Sequence, residues 1–333
     1  MLAPALGGPT MAAPRIVLMD NGLSDMEVAR ALCPAGFDLS IQKPEGPAFL
    51  EACRTAEYLV GFGHRGIDAT FYAGAPKLRL LQLLSAGYDT VDIEAARGAG
   101  VPVCNNGGAN ATAVSEHAIM LMMAVCRRLV WQHASVVAGR WRGNAPTQAG
   151  IFEMRGKVLG IVGLGTIGKK VARLAGAFGM PVIYFDVKRL TEAEEDALNV
   201  RFRLLGEVLR ECDILSLHVP LLPSTKHMIG AAELAAMKRG AFLVNTCRGP
   251  VVDEVALTAA LESGHLGGAG LDVFDVEPTP ADNPLLKAAN VVLTPHLAGP
   301  TADNQHARFR NAFDNCQRVA RGEKPLWVIP ELA

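Results

Sequence analysis

Three polar side chains that could act together on a carbonyl compound follow apolar stretches in the second half of the chain. Arg248 occurs in FLVNTCRGPVVDE, Glu277 in GLDVFDVEP and His296 in VVLTPHLAGP. A guanidinium pairs two-pronged with a carboxylate, and an imidazole transfers protons near neutral pH. A carboxylate beside the imidazole orients it and favours its protonated form. This set suits hydride transfer to a 2-keto acid, with Arg248 binding the substrate carboxylate and His296 protonating the carbonyl oxygen.

Each of the three residues has a simpler interpretation when it is taken alone. Arg248 would be a surface charge, Glu277 a loop acid and His296 a structural histidine. All three, however, would stand at the carboxyl ends of predicted strands in one domain, the edge at which open parallel sheets bind ligands. Their coincidence there favours the catalytic interpretation.

A glycine motif precedes this set in the chain. The segment VLGIVGLGTIGKK places Gly163, Gly165 and Gly168 in GxGxxG spacing, after a predicted strand and at the start of a predicted helix. In a dinucleotide-binding fold the first glycine permits a tight turn, the second lets the backbone approach a pyrophosphate, and the third lets helix and strand pack closely. The exposed N–H groups at the helix start then bind the phosphates.

Asp186 strengthens the glycine motif, because it ends the next predicted strand, PVIYFD. An acid at this point binds the ribose hydroxyls of NAD and repels the 2′-phosphate of NADP, so NAD is the predicted cofactor. A turn-capping role for Asp186 is the simpler alternative. Lys188 and Arg189 leave an NADP preference open, although solvated loop charges are the simpler interpretation.

The elements that must position these residues form two α/β series. Short β-branched runs alternate with helical patterns in both, which indicates parallel sheets covered on both faces. The first series has predicted strands Arg15–Met19, Asp38–Ile41, Tyr58–Gly61, Leu78–Leu83 and Val101–Cys104, with helices Met26–Leu32, Ala48–Cys53 and Ile93–Arg97. The second has predicted strands Val158–Val162, Val182–Phe185, Ile214–His218, Phe242–Asn245, Ala269–Val273 and Val291–Leu293, with helices Ile167–Phe178, Leu204–Glu211, Ala231–Lys238 and Glu254–Glu262.

Two further helices are predicted outside these series. A long apolar one over about 112–138 precedes the second series, and its apolar surface is wider than one core needs, which suggests that it also packs on a neighbour. A last helix, Asn304–Arg321, follows Pro300. The predicted fold class is α/β, with two doubly wound parallel-sheet domains: a Rossmann NAD-binding domain over 108–297 and a smaller flavodoxin-like substrate domain over 1–107 and 298–333, with a cleft between them.

Composition excludes several other classes of function. The 333 residues carry a formal net charge of −1 without a dense basic run, which argues against a nucleic-acid or anionic-membrane partner. No apolar run approaches the roughly 20 residues of a membrane span. Seven cysteines, an odd number without a CxxC pair, argue against disulfides and a zinc ribbon and favour the cytoplasm.

Two further segments bear on targeting and on metal binding. The opening MLAPALGGPTMAAP lacks the basic and apolar regions of a signal peptide, so we expect a flexible leader with Met11 as an alternative start. Glu116–His117 is not part of an HExxH motif and has no second ligand one helical turn away. No metal site is therefore expected, and packing in a core or an interface is the simpler role for these two residues.

GLGTIG, NTCRGPVVDE, GLDVFDVEP and TPHLAG, in this order, resemble the D-isomer-specific 2-hydroxyacid dehydrogenase family over nearly the whole chain from Arg15. NNGGANATAVSEHAIMLMM also resembles the family's segment leading into the cofactor domain. The resemblance implies a catalytic set of Arg248, Glu277 and His296, and a twofold dimer built from the 112–138 region, with Trp131 and Trp141 at the interface. The implied cofactor contacts are Gly163, Gly165, Thr166, Ile167, Gly168, Asp186, Val219, Pro220, Thr246, Cys247, Arg248, Asp272, His296 and Gly299.

The resemblance also implies a substrate-binding loop in the first domain. Backbone amides of Ser85, Ala86 and Gly87 in LLSAGYD would meet the substrate carboxylate together with Arg248 and His296, and glycine at 87 suits a close backbone approach. One departure is Cys247, where the family commonly has other small residues. A lowered thiol pKa there would make the site sensitive to thiol reagents.

The resulting hypothesis is an NAD-dependent D-2-hydroxyacid dehydrogenase that reduces a small 2-keto acid of the glyoxylate, hydroxypyruvate or pyruvate type. The rival from another class is an NADH-sensing regulatory protein of the same fold without turnover, which the complete Arg–Glu–His set argues against. A phosphoglycerate-type dehydrogenase would need a phosphate pocket and a C-terminal regulatory domain for which the chain has no room. Formate or phosphite oxidation is a further alternative.

Overall fold

The computed structural model describes residues 13–141 and 150–333, so the predicted leader lies outside the described residues. The described chain divides into two compact units. The first comprises residues up to Asn110 together with Ala302–Ala333, and the second comprises Ala111–Thr301.

The first unit is built on a five-stranded parallel sheet in the order β2-β1-β3-β4-β5. This is the doubly wound order of flavodoxin-like folds, which confirms the predicted fold class. Three of its strands are buried over their whole length, as expected of a sheet covered on both faces. The strands are β1 (Arg15–Met19), β2 (Asp38–Gln42), β3 (Tyr58–Gly61), β4 (Leu80–Leu83) and β5 (Val103–Cys104).

Helices cover both faces of the first sheet, and a buried apolar cluster lies between the helices and the sheet on each face. One cluster includes Phe49, Phe71 and Ala96 from α2, α3 and α4, and the other includes Ala29 from α1 and Phe309 from α12. Helix α3 was not predicted, because its six residues are too few to show a helical period. The helices are α1 (Met26–Leu32), α2 (Gly46–Cys53), α3 (Ala69–Gly74), α4 (Ile93–Ala99) and α12 (Gln305–Ala320).

The second unit has a seven-stranded parallel sheet in the order β12-β11-β10-β9-β6-β7-β8. If β6 to β12 are renumbered 1 to 7, the order read from the β8 edge is 3-2-1-4-5-6-7. The first six strands have the Rossmann order, which confirms the predicted Rossmann fold. The strands are β6 (Leu159–Val162), β7 (Val182–Phe185), β8 (Val200–Phe202), β9 (Ile214–Leu217), β10 (Phe242–Asn245), β11 (Gly268–Leu271) and β12 (Val291–Leu293).

Helices also cover both faces of the second sheet. Apolar residues of α5 and α7 form one buried cluster with the sheet, while α9, α10 and α11 supply the cluster on the opposite face. The helices of this unit are α5 (Ala111–Cys126), α6 (Leu129–Val137), α7 (Thr166–Ala177), α8 (Glu192–Leu198), α9 (Leu205–Glu211), α10 (Ala231–Ala236) and α11 (Glu254–Glu262).

Two predictions for the second unit were wrong. The sheet has seven strands and not the predicted six. The additional strand, β8, was missed because it is an edge strand of only three residues and its exposed Arg201 breaks the apolar run. The single long helix over 112–138 is instead α5 and α6. Arg128 adopts a left-handed backbone conformation with φ of 49°, which interrupts the helical hydrogen bonds, and the continuous apolar pattern gives no sign of this.

Three further features concern the described ranges only. No helix within 13–141 and 150–333 is long and apolar enough to cross a membrane. In the same ranges no group of three His, Cys, Asp or Glu side chains is arranged to hold a metal ion. All seven cysteines fall within these ranges and all are free thiols.

Candidate active site

The predicted site residues of the second unit lie along one edge of its sheet. The register pairs Val162 with Phe185 and with Leu217, and continues the same row through Asn245, Leu271 and Leu293. The strands therefore end level with one another, and the loops that leave them start side by side. In spatial order, the first residues of these loops are Asp186, Gly163, His218, Thr246, Asp272 and Thr294.

Two glycines of the GxGxxG motif are required by packing. Gly163 has φ of 92°, and a Cβ there would lie 2.6 Å from the carbonyl oxygen of His218. A Cβ on Gly168 would lie 2.3 Å from the carbonyl oxygen of Gly163. Both distances are well inside van der Waals contact. A side chain at 163 would force the glycine turn away from the loop after β9, and one at 168 would force the first turn of α7 away from the end of β6.

Gly165 differs from the other two glycines because its surroundings are open. A Cβ at this position would have no atom within 4 Å, and α7 begins at the next residue, Thr166, without a side-chain cap. The start of α7 therefore presents backbone N–H groups beside open space. The helix dipole adds a partial positive charge there. This arrangement fits the pyrophosphate of a dinucleotide, with Thr166 and Ile167 supplying the first helical N–H groups.

Asp186 braces the glycine turn from the end of β7. Its Oδ2 accepts the Leu164 N–H at 2.7 Å, and its Oδ1 accepts the Lys188 N–H at 2.9 Å. The carboxylate thus does cap turns, and its fixed position beside the start of α7 is also compatible with binding ribose hydroxyls. Arg189, which together with Lys188 left an NADP preference open, donates from Nε to Glu195 at 3.1 Å.

The loop after β10 is tied to its own strand by Asn245. This buried amide donates to the Arg248 carbonyl at 2.8 Å and accepts the Cys247 N–H at 3.0 Å. Arg248 also donates from Nη1 to the Cys247 carbonyl at 2.6 Å. Thr246, at the start of the loop, is buried with a hydroxyl that has no partner among the described residues.

Gly249 brings the Arg248 loop against the loop that carries Glu277. A Cβ on Gly249 would lie 2.0 Å from both the carbonyl carbon and the carbonyl oxygen of Phe274, so the two backbones touch. Gly249 was not among the predicted site residues. The signal for it in the sequence is its position directly after a candidate catalytic residue.

Cys247 is not the reactive thiol that was considered. Burial raises its pKa to about 11, even though nearby N–H groups and the charge of Arg248 act in the opposite direction. Its Sγ also lies 3.0 Å from Oδ1 of Asn245 and donates to it. The thiol therefore stays protonated at neutral pH, and the condition for sensitivity to thiol reagents is not met.

Glu277 and His296 are in direct contact. Oε2 of Glu277 lies 2.6 Å from Nδ1 of His296, and Oε1 accepts the Phe274 N–H at 2.9 Å. Burial alone would raise the pKa of Glu277, but these two hydrogen bonds and the charge of Arg248 outweigh it and lower that pKa. Glu277 is therefore a carboxylate at neutral pH and accepts the Nδ1–H of His296. Nε2 is then the ring nitrogen that can exchange a proton with a ligand.

Asp272 holds the loop that carries His296. Its fully buried carboxylate accepts hydrogen bonds from the Thr294 hydroxyl at 2.6 Å and from the N–H groups of Leu297 and Ala298 at 3.0 and 2.9 Å. Its backbone carbonyl accepts the His296 N–H at 2.8 Å. His296 has φ of 54°, a conformation that a non-glycine residue keeps only when its surroundings enforce it.

His117 extends this anchor from α5. Its Nε2 lies 2.9 Å from Oγ1 of Thr294 and 3.5 Å from Oδ1 of Asp272. Because the Thr294 hydroxyl proton is donated to Asp272, His117 must be the donor to Thr294. Burial lowers the pKa of His117, although the Asp272 charge opposes this shift. The expectation for His117 named only packing; in the structure its largely buried side chain also donates a hydrogen bond to the His296 loop.

The other predicted residues take the following places. Val219 and Pro220 lie in the loop after β9, and Gly299 lies in the loop after β12, three residues beyond His296. Ser85, Ala86 and Gly87 belong to the first unit and follow β4. Their contacts with cofactor or substrate stay predictions.

A family comparison settles what kind of protein carries this arrangement. The NAD-binding domain of D-isomer specific 2-hydroxyacid dehydrogenases matches residues 119–298, more than half of the chain. The chain belongs to this family. The resemblance found in the sequence is thereby confirmed, and with it the NAD cofactor and an oxidoreductase activity on 2-hydroxy acids.

Relatives of this dehydrogenase extend the likeness to the whole chain. A glyoxylate reductase from Korarchaeum cryptofilum is 40% identical over 311 residues, which cover 92% of this chain and 91% of that protein. A glyoxylate/hydroxypyruvate reductase B from Erwinia tasmaniensis is 38% identical over 271 residues, 81% of this chain and 84% of that protein. The crystal structure of a glyoxylate reductase from Paecilomyes thermophila, 31% identical, matches with a TM-score of 0.85 over 97% of this chain and 100% of that chain.

We predict that His117→Ala lowers the kcat of this dehydrogenase by roughly tenfold, because one hydrogen bond that supports the His296 loop is lost. NADH affinity, measured by fluorescence titration, should stay within about twofold of the wild-type value, since His117 supports the His296 loop and not the glycine turn. His117→Gln keeps a side-chain N–H donor and should restore part of the rate.

Glu116→Ala is the matched control for this prediction, because Glu116 is the exposed neighbour of His117 on the same helix. Its kcat should equal that of the wild type. A wild-type kcat in His117→Ala, or an equal loss in Glu116→Ala, would show that the hydrogen bond to Thr294 does not position His296.

Proposed function

We propose that this dehydrogenase reduces a small 2-keto acid of the glyoxylate, hydroxypyruvate or pyruvate type to the D-2-hydroxy acid with NADH, or runs the reverse reaction. The observation that carries the proposal is the 2.6 Å contact between Glu277 and His296, beside a loop that holds Arg248 against the Glu277 loop through Gly249. The glyoxylate and hydroxypyruvate reductases among its relatives support the size of the substrate.

The proposed roles follow from the chemistry of each group. Arg248 binds the substrate carboxylate through its planar fork and polarises the keto oxygen. His296 donates a proton from Nε2 to that oxygen as negative charge develops on it. Glu277 accepts the Nδ1–H of His296, fixes the ring orientation and favours the protonated imidazole. In the reverse reaction, neutral His296 takes the proton from the hydroxy acid.

The residues proposed to hold the cofactor line the same sheet edge. The start of α7 after Gly165 would hold the pyrophosphate, and Asp186 the adenosine ribose. The loops after β9, β10 and β12 would border the rest of the cofactor with Val219, Pro220, Thr246, Cys247 and Gly299, and Asp272 would support the nicotinamide side. When bound, NADH supplies the hydride. The proposed limits of this NAD-binding domain are 108–297, with 1–107 and 298–333 as the substrate domain.

The first test is an assay of NADH consumption at 340 nm with glyoxylate, hydroxypyruvate and pyruvate. We expect the wild type to turn over at least one of the three, and His296→Ala to lose about 100-fold or more in kcat, the usual contribution of proton-transfer catalysis. NADH affinity should barely change. His306→Ala, in which an exposed histidine is removed, is the control and should keep full activity. Unchanged kcat in His296→Ala would remove the role assigned to this residue.

A second prediction concerns pH. Because Glu277 has a lowered pKa, it remains a carboxylate throughout the neutral range and places its charge against Nδ1 of His296. Glu277→Gln removes that charge but keeps an acceptor oxygen. We therefore expect the alkaline limb of the kcat/KM profile for keto-acid reduction to move to lower pH in the variant. An unshifted limb with a uniformly lower rate would indicate that Glu277 only orients the ring.

We infer that the dehydrogenase forms a homodimer through the 112–138 region. Helices α5 and α6 and the residue stretch after them expose large apolar side chains, which argues for a covered surface. These are Met120, Met123, Leu129, Val130, Val136, Val137 and Trp141. We also infer a cytoplasmic location, which seven free thiols support.

Light scattering tests the dimer. The wild type should have the mass of two chains, and Val137→Glu should shift it to the mass of one, because a charge at an apolar interface is costly. Val255→Glu is the control, since Val255 is an isolated valine on α11 with 82% of its surface exposed, compared with 73% for Val137. A wild type with the mass of one chain, or a dimeric Val137→Glu, would contradict this interface.

A further inference from the structure

The loop after β4, proposed to bind the substrate carboxylate, has its carbonyl groups held from within the first unit. The Leu84 carbonyl accepts a hydrogen bond from Nε of Arg308 at 3.1 Å, and the Ser85 carbonyl accepts the Asn106 N–H at 3.0 Å. The Gly87 carbonyl accepts the Ser85 hydroxyl at 2.8 Å. Every one of these donors belongs to the first unit.

The hydrogen bonds on the carbonyl groups determine where the N–H groups of the same peptides point. In a trans peptide the C=O and the N–H lie on opposite sides. Holding the Leu84 and Ser85 carbonyls therefore turns the N–H groups of Ser85 and Ala86 away from Arg308 and Asn106. Across the part of the chain that the structure describes, the N–H groups of Ser85, Ala86 and Gly87 donate no hydrogen bond to another residue. Successive unpaired N–H groups of this kind form anion-binding concavities.

Arg308 is an unusual residue to find in this supporting position. It lies on α12 with only 2% of its surface exposed, and its guanidinium carbon stacks 4.9 Å from the ring centre of Phe62, in the loop after β3. Burial lowers its pKa to about 10, so it remains a cation at neutral pH. Both Nη atoms are buried and without a partner among the described residues.

A purely structural role accounts poorly for these features. A buried cation without a neighbouring carboxylate is costly, and a well-packed apolar side chain would be the more stable choice in that place. The cost becomes understandable if the charge serves a ligand. A cation bound to the Leu84 carbonyl polarises the peptide and makes the Ser85 N–H a stronger donor, because linked hydrogen bonds reinforce one another.

We propose that Arg308 is a positioning residue for substrate binding: it orients and polarises the Leu84–Ser85 peptide so that the N–H groups of the loop can bind the carboxylate of a 2-keto acid. Asn106 supports the next peptide in the same way, through its N–H on the Ser85 carbonyl and its side-chain amide, which donates to the Arg308 carbonyl at 3.0 Å. This inference rests on the proposed function. It assigns to Arg308 an effect on substrate binding and none on hydride or proton transfer.

The test compares Arg308→Met and Arg308→Lys with the wild type, using glyoxylate and the anionic inhibitor oxamate as probes. Met keeps the length but removes charge and donor, so we expect the KM for glyoxylate and the Ki for oxamate to rise by about tenfold, the effect of one charge-assisted hydrogen bond. Lys keeps the charge but has no donor at the Nε position, and the KM should rise by about threefold or more. The kcat should stay within about threefold, and NADH affinity within about twofold.

Arg310→Met is the matched control, because Arg310 is an exposed arginine on the same helix, and its KM should equal that of the wild type. If Arg308→Met does not fold, Arg308→Lys decides the question. An unchanged KM in the folded variants would overturn the assignment. A rise in KM accompanied by equal losses in kcat and NADH affinity would also overturn it, because that is the result that a merely structural role predicts.

The wild-type assay separates this inference from the function on which it rests. A wild type that reduces none of the three keto acids contradicts the proposed function and, with it, the role of Arg308. A wild type that reduces glyoxylate while Arg308→Met keeps the wild-type KM contradicts the role of Arg308 alone.

Discussion

One buried carboxylate organises the candidate active-site edge of the second unit. Asp272 directly follows β11, and its carboxylate accepts three hydrogen bonds from the loop that carries His296. Within that loop His296 has a left-handed backbone conformation. The contact between His296 and Glu277 depends on that conformation. A buried negative charge is tolerated because its hydrogen-bonding capacity is used by the loop that it holds.

The candidate catalytic residues were predictable because they follow strands. Apolar runs located β10, β11 and β12 within one or two residues, and in a parallel sheet consecutive strand ends share one edge. Arg248, Glu277 and His296 were therefore placed together by the sequence pattern alone. The glycines at 163 and 168 were predictable for a related reason, since their spacing reflects how closely a helix must approach a strand.

The supporting residues were not predictable, because their contacts join distant parts of the chain. His117 reaches Thr294 across 177 positions, and Arg308 reaches Leu84 across 224. Neither residue lies in a local pattern that differs from ordinary packing. The helix break at Arg128 and the short strand β8 were not predicted for the opposite reason. Both are local features, but a change at one backbone angle or a strand of three residues produces no periodic signal in the sequence.

The seven thiols of the molecule share one chemical property. Burial raises the pKa of every one of them, including Cys247 beside the candidate catalytic arginine. Peroxides and disulfides react with thiolates and only slowly with protonated thiols. The thiols of this dehydrogenase are therefore expected to resist oxidants that modify low-pKa cysteines, and activity measured after peroxide treatment should be retained.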